Sequence, residues 1–292
     1  FGVTATGHAN PRITKAAQQQ LAKLPHATGD VHPHTLKGKL ARELSKLRFE
    51  HWKLGRGKTI FCNSGFEAVE AALKTALLAT GKKGVIAFEG AYHGLGYGTL
   101  NTTHRRLFTN PFQNQLGKFG HFAPFPKNNP ELTKSKRALK KLFKDHSVGA
   151  VLVEPIQGRA GMRIPPRSFL KLLRKLCDKH GALLIFDEIY TGFGRTGRWF
   201  ACEDDAVYPN LICLGKALTN GFPLSACVGT TDIMDRAWPK SKGEAIHTST
   251  FLGHPVGCAM ALAQVRELKE IKLITQARRR GKQLEKLYKR FP

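Results

Sequence analysis

Six short apolar runs constrain the fold of this chain more than any other feature: "TIFC" (59–62), "GVIAF" (84–88), "GAVLV" (149–153), "ALLIF" (182–186), "LICL" (211–214) and "ACVG" (226–229). Each run is continuous rather than alternating, so both faces of each strand are apolar. Strands of that kind are buried on both sides, in a mostly parallel sheet covered by helices. Helix candidates lie between them. "EAVEAALKTALLATG" closes at Gly81, and "PPRSFLKLLRKLCDKHG" opens on prolines and stops at Gly181. The pattern is α/β. With 292 residues, 41% of them hydrophobic, the chain can bury one large domain, or one and a half.

Composition excludes some classes. No apolar run approaches the roughly 20 residues a membrane-spanning helix needs, and no signal peptide is read. The chain starts at Phe1, within what reads as a folded segment, and stops at Pro292 just after a helix-like stretch. It is therefore taken as part of a longer protein, and a targeting segment is left open. The cysteines at 62, 177, 202, 213, 227 and 258 form no C-x-x-C pair, and several sit in apolar runs. They read as buried hydrophobes in a reducing cytoplasm, with no metal site. Lys and Arg number 47 against 21 Asp and Glu, a formal charge of +26. Such a surplus permits nonspecific nucleic-acid binding. The charges are dispersed, however, as in "KSKRALKKLFK" (134–144), where Leu139, Leu142 and Phe143 fall at helical spacing. "RELKEIKLITQARRRGKQLEKLYKR" has the same amphipathic look, and both read as solvated helix faces.

The chemistry lies just past the carboxyl end of each run. Open parallel sheets bind ligands beyond the carboxyl ends of their strands. "TIFC" leads into Asn63-Ser64-Gly65-Phe66-Glu67, a helix start whose free N–H groups suit an anion, although Ser64 also reads as a plain N-cap. "GVIAF" leads into a turn carrying Tyr92 and His93. Tyr92 either packs in the core or stacks on a flat ring. His93 alone is an ordinary loop histidine. "GAVLV" leads to Glu154 and Gln157, and "ALLIF" to Asp187 and Glu188. A carboxylate at the end of a buried strand needs a partner. It is a cap, an ion pair, or the partner of a protonated ring nitrogen, and either acid could serve. "LICLG" leads to Lys216. A partly desolvated lysine there has a lowered pKa and can attack a carbonyl to form a Schiff base. Anion cradle, stacking ring, ring-nitrogen acid and lysine together describe a pyridoxal 5'-phosphate site.

Those residues resemble the class III (omega-amino-acid) pyridoxal-phosphate aminotransferases, the family of 4-aminobutyrate, ornithine and acetylornithine aminotransferases. "GHANPRITKAAQQQL", "NSGFEAVEAALK", "EGAYHG", "VEPIQG", "FDEIYTGFGRTGRWFA", "CLGKALTNGFPLSA" and "HTSTFLGHPVGCA" match its motifs in order over nearly the whole chain. The resemblance implies that Lys216 carries the cofactor and shuttles the proton, and that Asp187 keeps the pyridine nitrogen protonated. It implies that Ser64, Gly65 and Phe66 hold the phosphate, that Tyr92 stacks on the ring with His93 beside it, and that Glu154 and Gln157 support the wall. It further implies a homodimer with shared sites, in which Thr250 reaches the neighbouring subunit's phosphate.

Three positions depart from the family pattern. Phe66 stands where a small or hydroxyl residue is usual, so only its backbone can serve the phosphate. Tyr190 replaces a glutamine near the ring hydroxyl. Arg159 stands where several omega-aminotransferases carry a glutamate that masks a substrate-binding arginine, so it either binds a substrate carboxylate itself or faces solvent. The C-terminal domain that usually supplies a carboxylate-binding arginine lies beyond this sequence.

The expected fold is that of the aspartate-aminotransferase type, fold type I, with a mixed, mostly parallel seven-stranded sheet. An entry segment would span 1–37, a large cofactor-binding domain 38–264, and the start of a C-terminal domain 265–292. The expected activity is transfer of an amino group from an amine or omega-amino acid to a 2-oxo acid. The rivals are an epimerase or aminomutase on the same scaffold and, from charge alone, a basic nucleic-acid-binding protein.

Overall fold

Seven strands form one sheet in the computed structural model, which describes residues 2–28, 31–240 and 245–290. The outer limits expected for the terminal segments, Phe1 and Pro292, fall outside the described residues. The strands are β1 (Gly57–Cys62), β2 (Gly84–Phe88), β3 (Gly120–Ala123), β4 (Val148–Val153), β5 (Leu183–Asp187), β6 (Leu211–Leu214) and β7 (Ser225–Thr230). Their order is β1-β7-β6-β5-β4-β2-β3. Neighbours from β6 to β3 pair in parallel, and β7 runs antiparallel to both β1 and β6. All six apolar runs are strands. The seventh, β3, is not marked by such a run, because "GHFA" is an edge strand with only Ala123 buried and needs no continuous apolar stretch.

Pleating sorts the strand residues into two cores. Phe88, Val151, Val153, Leu184, Phe186, Ile212 and Leu214 pack on one face, with Phe169, Leu173 and Cys177 of the helix Ser168–His180 and Leu139 and Phe143 of the helix Asn129–Asp145. Val85, Ala150, Leu152, Leu183, Ile185, Leu211 and Cys213 pack on the other, with Ala68, Val69, Ala72 and Ala76 of the helix Gly65–Thr80. The small residues of that helix bring its axis close to the sheet. Its C-terminus stops at Gly81, whose φ of 67° is the left-handed conformation that glycine adopts without a steric cost.

The helix Asn129–Asp145 points its lysines outward, as its spacing suggested. The basic stretch near the C-terminus is two helices, Pro255–Glu270 and Leu273–Tyr288, broken at Lys272 with φ 50°. The first buries Cys258, Ala261, Val265 and Leu268, whereas no residue of the second is buried. The helix Pro255–Glu270 runs without interruption through residue 264. Among the described residues no helix is long and apolar enough to cross a membrane.

Candidate active site

The carboxyl ends of β2, β4, β5 and β6 meet the N-terminus of the helix Gly65–Thr80 around a cavity of about 880 Å³. Gly65, Phe66, Tyr92, His93, Glu154, Arg159, Asp187, Tyr190 and Lys216 all line it. Of the residues expected at the site, Ser64, Gln157 and Thr250 do not line it. Gln157 is buried in the wall, where its Nε2 donates to the Glu89 carbonyl across 2.9 Å. Thr250 lies in an exposed turn.

The helix start is held by Glu67, whose Oε2 accepts from the backbone N–H of Asn63 at 2.7 Å and of Ser64 at 2.9 Å. This is the return arm of a capping box. Ser64 Oγ is buried and reaches no partner of good hydrogen-bond geometry, so the forward arm is weak. The free N–H groups of the first turn and the helix dipole attract an anion at Gly65 and Phe66. A Cβ on Gly65 would come within 3.0 Å of the Ile189 side chain, so glycine keeps this floor open.

Asp187 ends β5 and is 5% exposed. Its Oδ1 accepts from the Ile189 N–H at 3.1 Å, and its Oδ2 from His93 Nδ1 at 2.8 Å. Strand parity decides which of the two adjacent acids serves the cavity. Leu183, Ile185 and Asp187 share the face toward the helix Gly65–Thr80, while Glu188 falls on the other. Glu188 is fully buried, and its carboxylate accepts from the N–H groups of Ala201 and Cys202 at 3.0 and 2.9 Å and from Thr191 Oγ1. It is a structural group that ties down the loop after β5.

Glu154 is 7% exposed and accepts from Tyr92 N–H at 3.1 Å and Gly158 N–H at 3.0 Å. It thereby joins the turns after β2 and β4. Burial pushes its carboxyl up to about 7, against the opposing pull of His93 and of the two N–H groups. His93 N–H donates to Thr103 Oγ1 across 3.0 Å, which holds the imidazole against Asp187.

Lys216 follows β6 through Gly215 and adopts φ 42°, left-handed for a residue with a side chain. Such a conformation costs of order 1–3 kcal/mol and persists where the surroundings impose it. Burial lowers the Lys216 pKa, with Arg195 and Arg159 adding to the shift and Asp187 and Glu154 opposing it. The amine lies 5.6 Å from the centre of the Tyr190 ring. A lysine so placed has an increased neutral, nucleophilic fraction.

The donor set fits pyridoxal phosphate: an anion-attracting helix start, a buried carboxylate, an aromatic face and a lysine of lowered pKa line one cavity. Sequence reasoning missed Ile189, which forms an apolar wall against Gly65 and Gly215. Its signal was the spacing of two from Asp187 beyond a buried strand.

Comparison with known proteins identifies the family. The family model for class-III aminotransferases matches residues 1–290. The acetylornithine aminotransferase of Methanosarcina mazei is 36% identical over 281 residues, 96% of this chain and 65% of that protein. The chain thus spans 65% of the length of that curated relative. Among solved structures, an amine transaminase from an uncultivated Pseudomonas species, in its PLP-bound form, is 30% identical with a TM-score of 0.87, covering 97% of this chain and 69% of that one. The ornithine aminotransferase of Toxoplasma gondii is 31% identical with a TM-score of 0.84, covering 97% and 64%. From its match across almost the full sequence, the chain belongs to the aminotransferase class-III family.

Proposed function

We propose that the protein is a pyridoxal-phosphate-dependent transaminase that moves an amino group from an amine or omega-amino acid to a 2-oxo acid. One observation carries this reading: Lys216 and Asp187, delivered by separate strands, line the same cavity as the N-terminus of the helix Gly65–Thr80. The names of the relatives, acetylornithine and ornithine aminotransferases, support the donor class.

Bound, the cofactor supplies an electron sink for a carbanion beside the transferred nitrogen. The protein's residues supply the rest. Asp187 holds a proton at the pyridine nitrogen, with His93 and the Ile189 N–H orienting its carboxylate. The N–H groups of Gly65 and Phe66 bind the phosphate. Tyr92 and Ile189, which line the cavity, would confine the ring, and Tyr190 offers an aromatic face near Lys216. Lys216 Nζ carries the proton between carbon centres, a task suited to an amine whose pKa is lowered by burial.

Two further elements belong to this reading. A homodimer accounts for Thr250, which is exposed and away from the cavity of its own chain. A cytoplasmic setting accounts for six free, buried cysteines.

The test is an absorbance spectrum of the whole protein, followed by borohydride treatment. A visible band is expected, and borohydride fixes the cofactor to the wild type but not to Lys216→Ala. Fixation in that variant sinks the role of Lys216. Turnover without any added 2-oxo acid would instead favour an epimerase or aminomutase.

A further inference from the structure

We infer that Arg159 is the guanidinium that receives the substrate's carboxylate at the mouth of this cavity, so that amino acids are preferred over simple amines as donors. The inference rests on the transaminase reading and gives it a substrate class.

Arg159 sits in the turn after β4, next to Gly158, whose N–H is anchored on Glu154 Oε2 at 3.0 Å. Its guanidinium carbon lies 4.3 Å from the centre of the Tyr92 ring and 5.4 Å from that of Phe108. Tyr92 and Phe108 are themselves in edge contact, 5.5 Å between centres. A guanidinium held against aromatic rings keeps its N–H groups in its own plane, directed outward for a bidentate bond to a carboxylate. The residue lines the cavity, and its charge is felt at Lys216.

Among the described residues no carboxylate lies within ion-pair distance of Arg159. The cavity's own acids are engaged elsewhere, Glu154 by two backbone N–H groups and Asp187 by His93 and Ile189. The other guanidinium whose charge is felt at Lys216 is committed: Arg195 donates to the Tyr190 and Gly2 carbonyls at 3.1 and 2.6 Å. Of the two arginines whose charge is felt at Lys216, Arg159 is the one that lines the cavity and is not held by a backbone carbonyl. Because it is solvent-exposed, screening keeps the gain modest, about tenfold in affinity.

The experiment uses the whole cofactor-loaded protein and two readouts. Calorimetry follows the binding of glutarate, which has carboxylates and no amine. Half-reaction rates compare an omega-amino acid with the amine of equal chain length that lacks the carboxylate. In Arg159→Gln, glutarate binding is expected to weaken about tenfold, and kcat/KM for the amino acid to fall about tenfold further than for the amine. Arg159→Lys, which keeps the charge but not the fork, should fall between, and it decides the matter if Arg159→Gln does not fold. Glutarate affinity within about twofold of wild type, or equal losses for both donors, overturns the inference. If the wild type shows no cofactor band, the transaminase reading fails first and this inference falls with it. A normal band with unchanged selectivity removes the Arg159 role alone.

Discussion

His93 Nδ1 donates to Asp187 Oδ2 across 2.8 Å, with the His93 side chain fully buried and the Asp187 side chain 6% exposed. With a carboxylate as acceptor, Nδ1 carries the proton. His93→Leu removes that donor and leaves a buried carboxylate with the Ile189 N–H alone. It should cost about 1–3 kcal/mol in urea unfolding of the cofactor-free protein and weaken cofactor binding. His93→Asn, whose Nδ2 reaches the same region, should recover most of both losses. A leucine variant as stable as the wild type would show that the contact contributes nothing.

Glu154 makes stability depend on pH with a defined sign. Burial raises its folded-state pKa to about 7 from an ordinary 4.5. Between those values the folded state binds more protons than the unfolded one, so this group's contribution falls as pH rises from about 4.5 to 7. Glu154→Gln cannot ionise. Its stability relative to wild type should rise between pH 5 and pH 8, by on the order of 1–3 kcal/mol. Paired denaturant curves at the two pH values measure it. A difference between variant and wild type that does not change with pH rules the ionisation out.

Thr250 tests the shared-site dimer. Thr250→Ala should weaken cofactor retention, by roughly 1.5–3 kcal/mol for a lost bond to a charged phosphate. Mixing Lys216→Ala subunits with Thr250→Ala subunits then separates the arrangements. If the threonine serves the partner's site, each heterodimer has one site with both lesions and one with neither, and activity rises above that of either parent. If each subunit uses its own threonine, every heterodimer site carries one lesion and nothing is recovered.

The fold class and most of the site could be read along the chain because both depend on local composition. A strand buried on both faces must be apolar throughout, so β2, β4, β5, β6 and β7 announce themselves, while the edge strand β1 shows only through its end at Phe61 and Cys62, which is buried. The residue that closes or soon follows such a strand stands at the sheet's edge, which places Asp187 and Lys216 there from the sequence alone. The edge strand β3 carries no such requirement and left no trace.

Tertiary structure decided what depends on pairing and parity. Asp187 and Glu188 are equivalent in composition. Only the side of the sheet taken by the helix Gly65–Thr80 makes Asp187 the acid of the cavity and Glu188 a buried loop tie. The reversal of β7 puts Ser225, rather than a strand's end, at the same edge, where its Oγ donates to the Ser64 carbonyl across 2.5 Å and holds the helix start. His93 meets Asp187 from 94 residues away, and Arg159 meets Tyr92 across two strands' worth of chain. The amino-acid sequence determined which chemical groups reach the edge of the sheet, because burial is a property of each run by itself. Which of them touch was decided by strand order, since contacts between distant residues exist only once the sheet has brought their turns side by side.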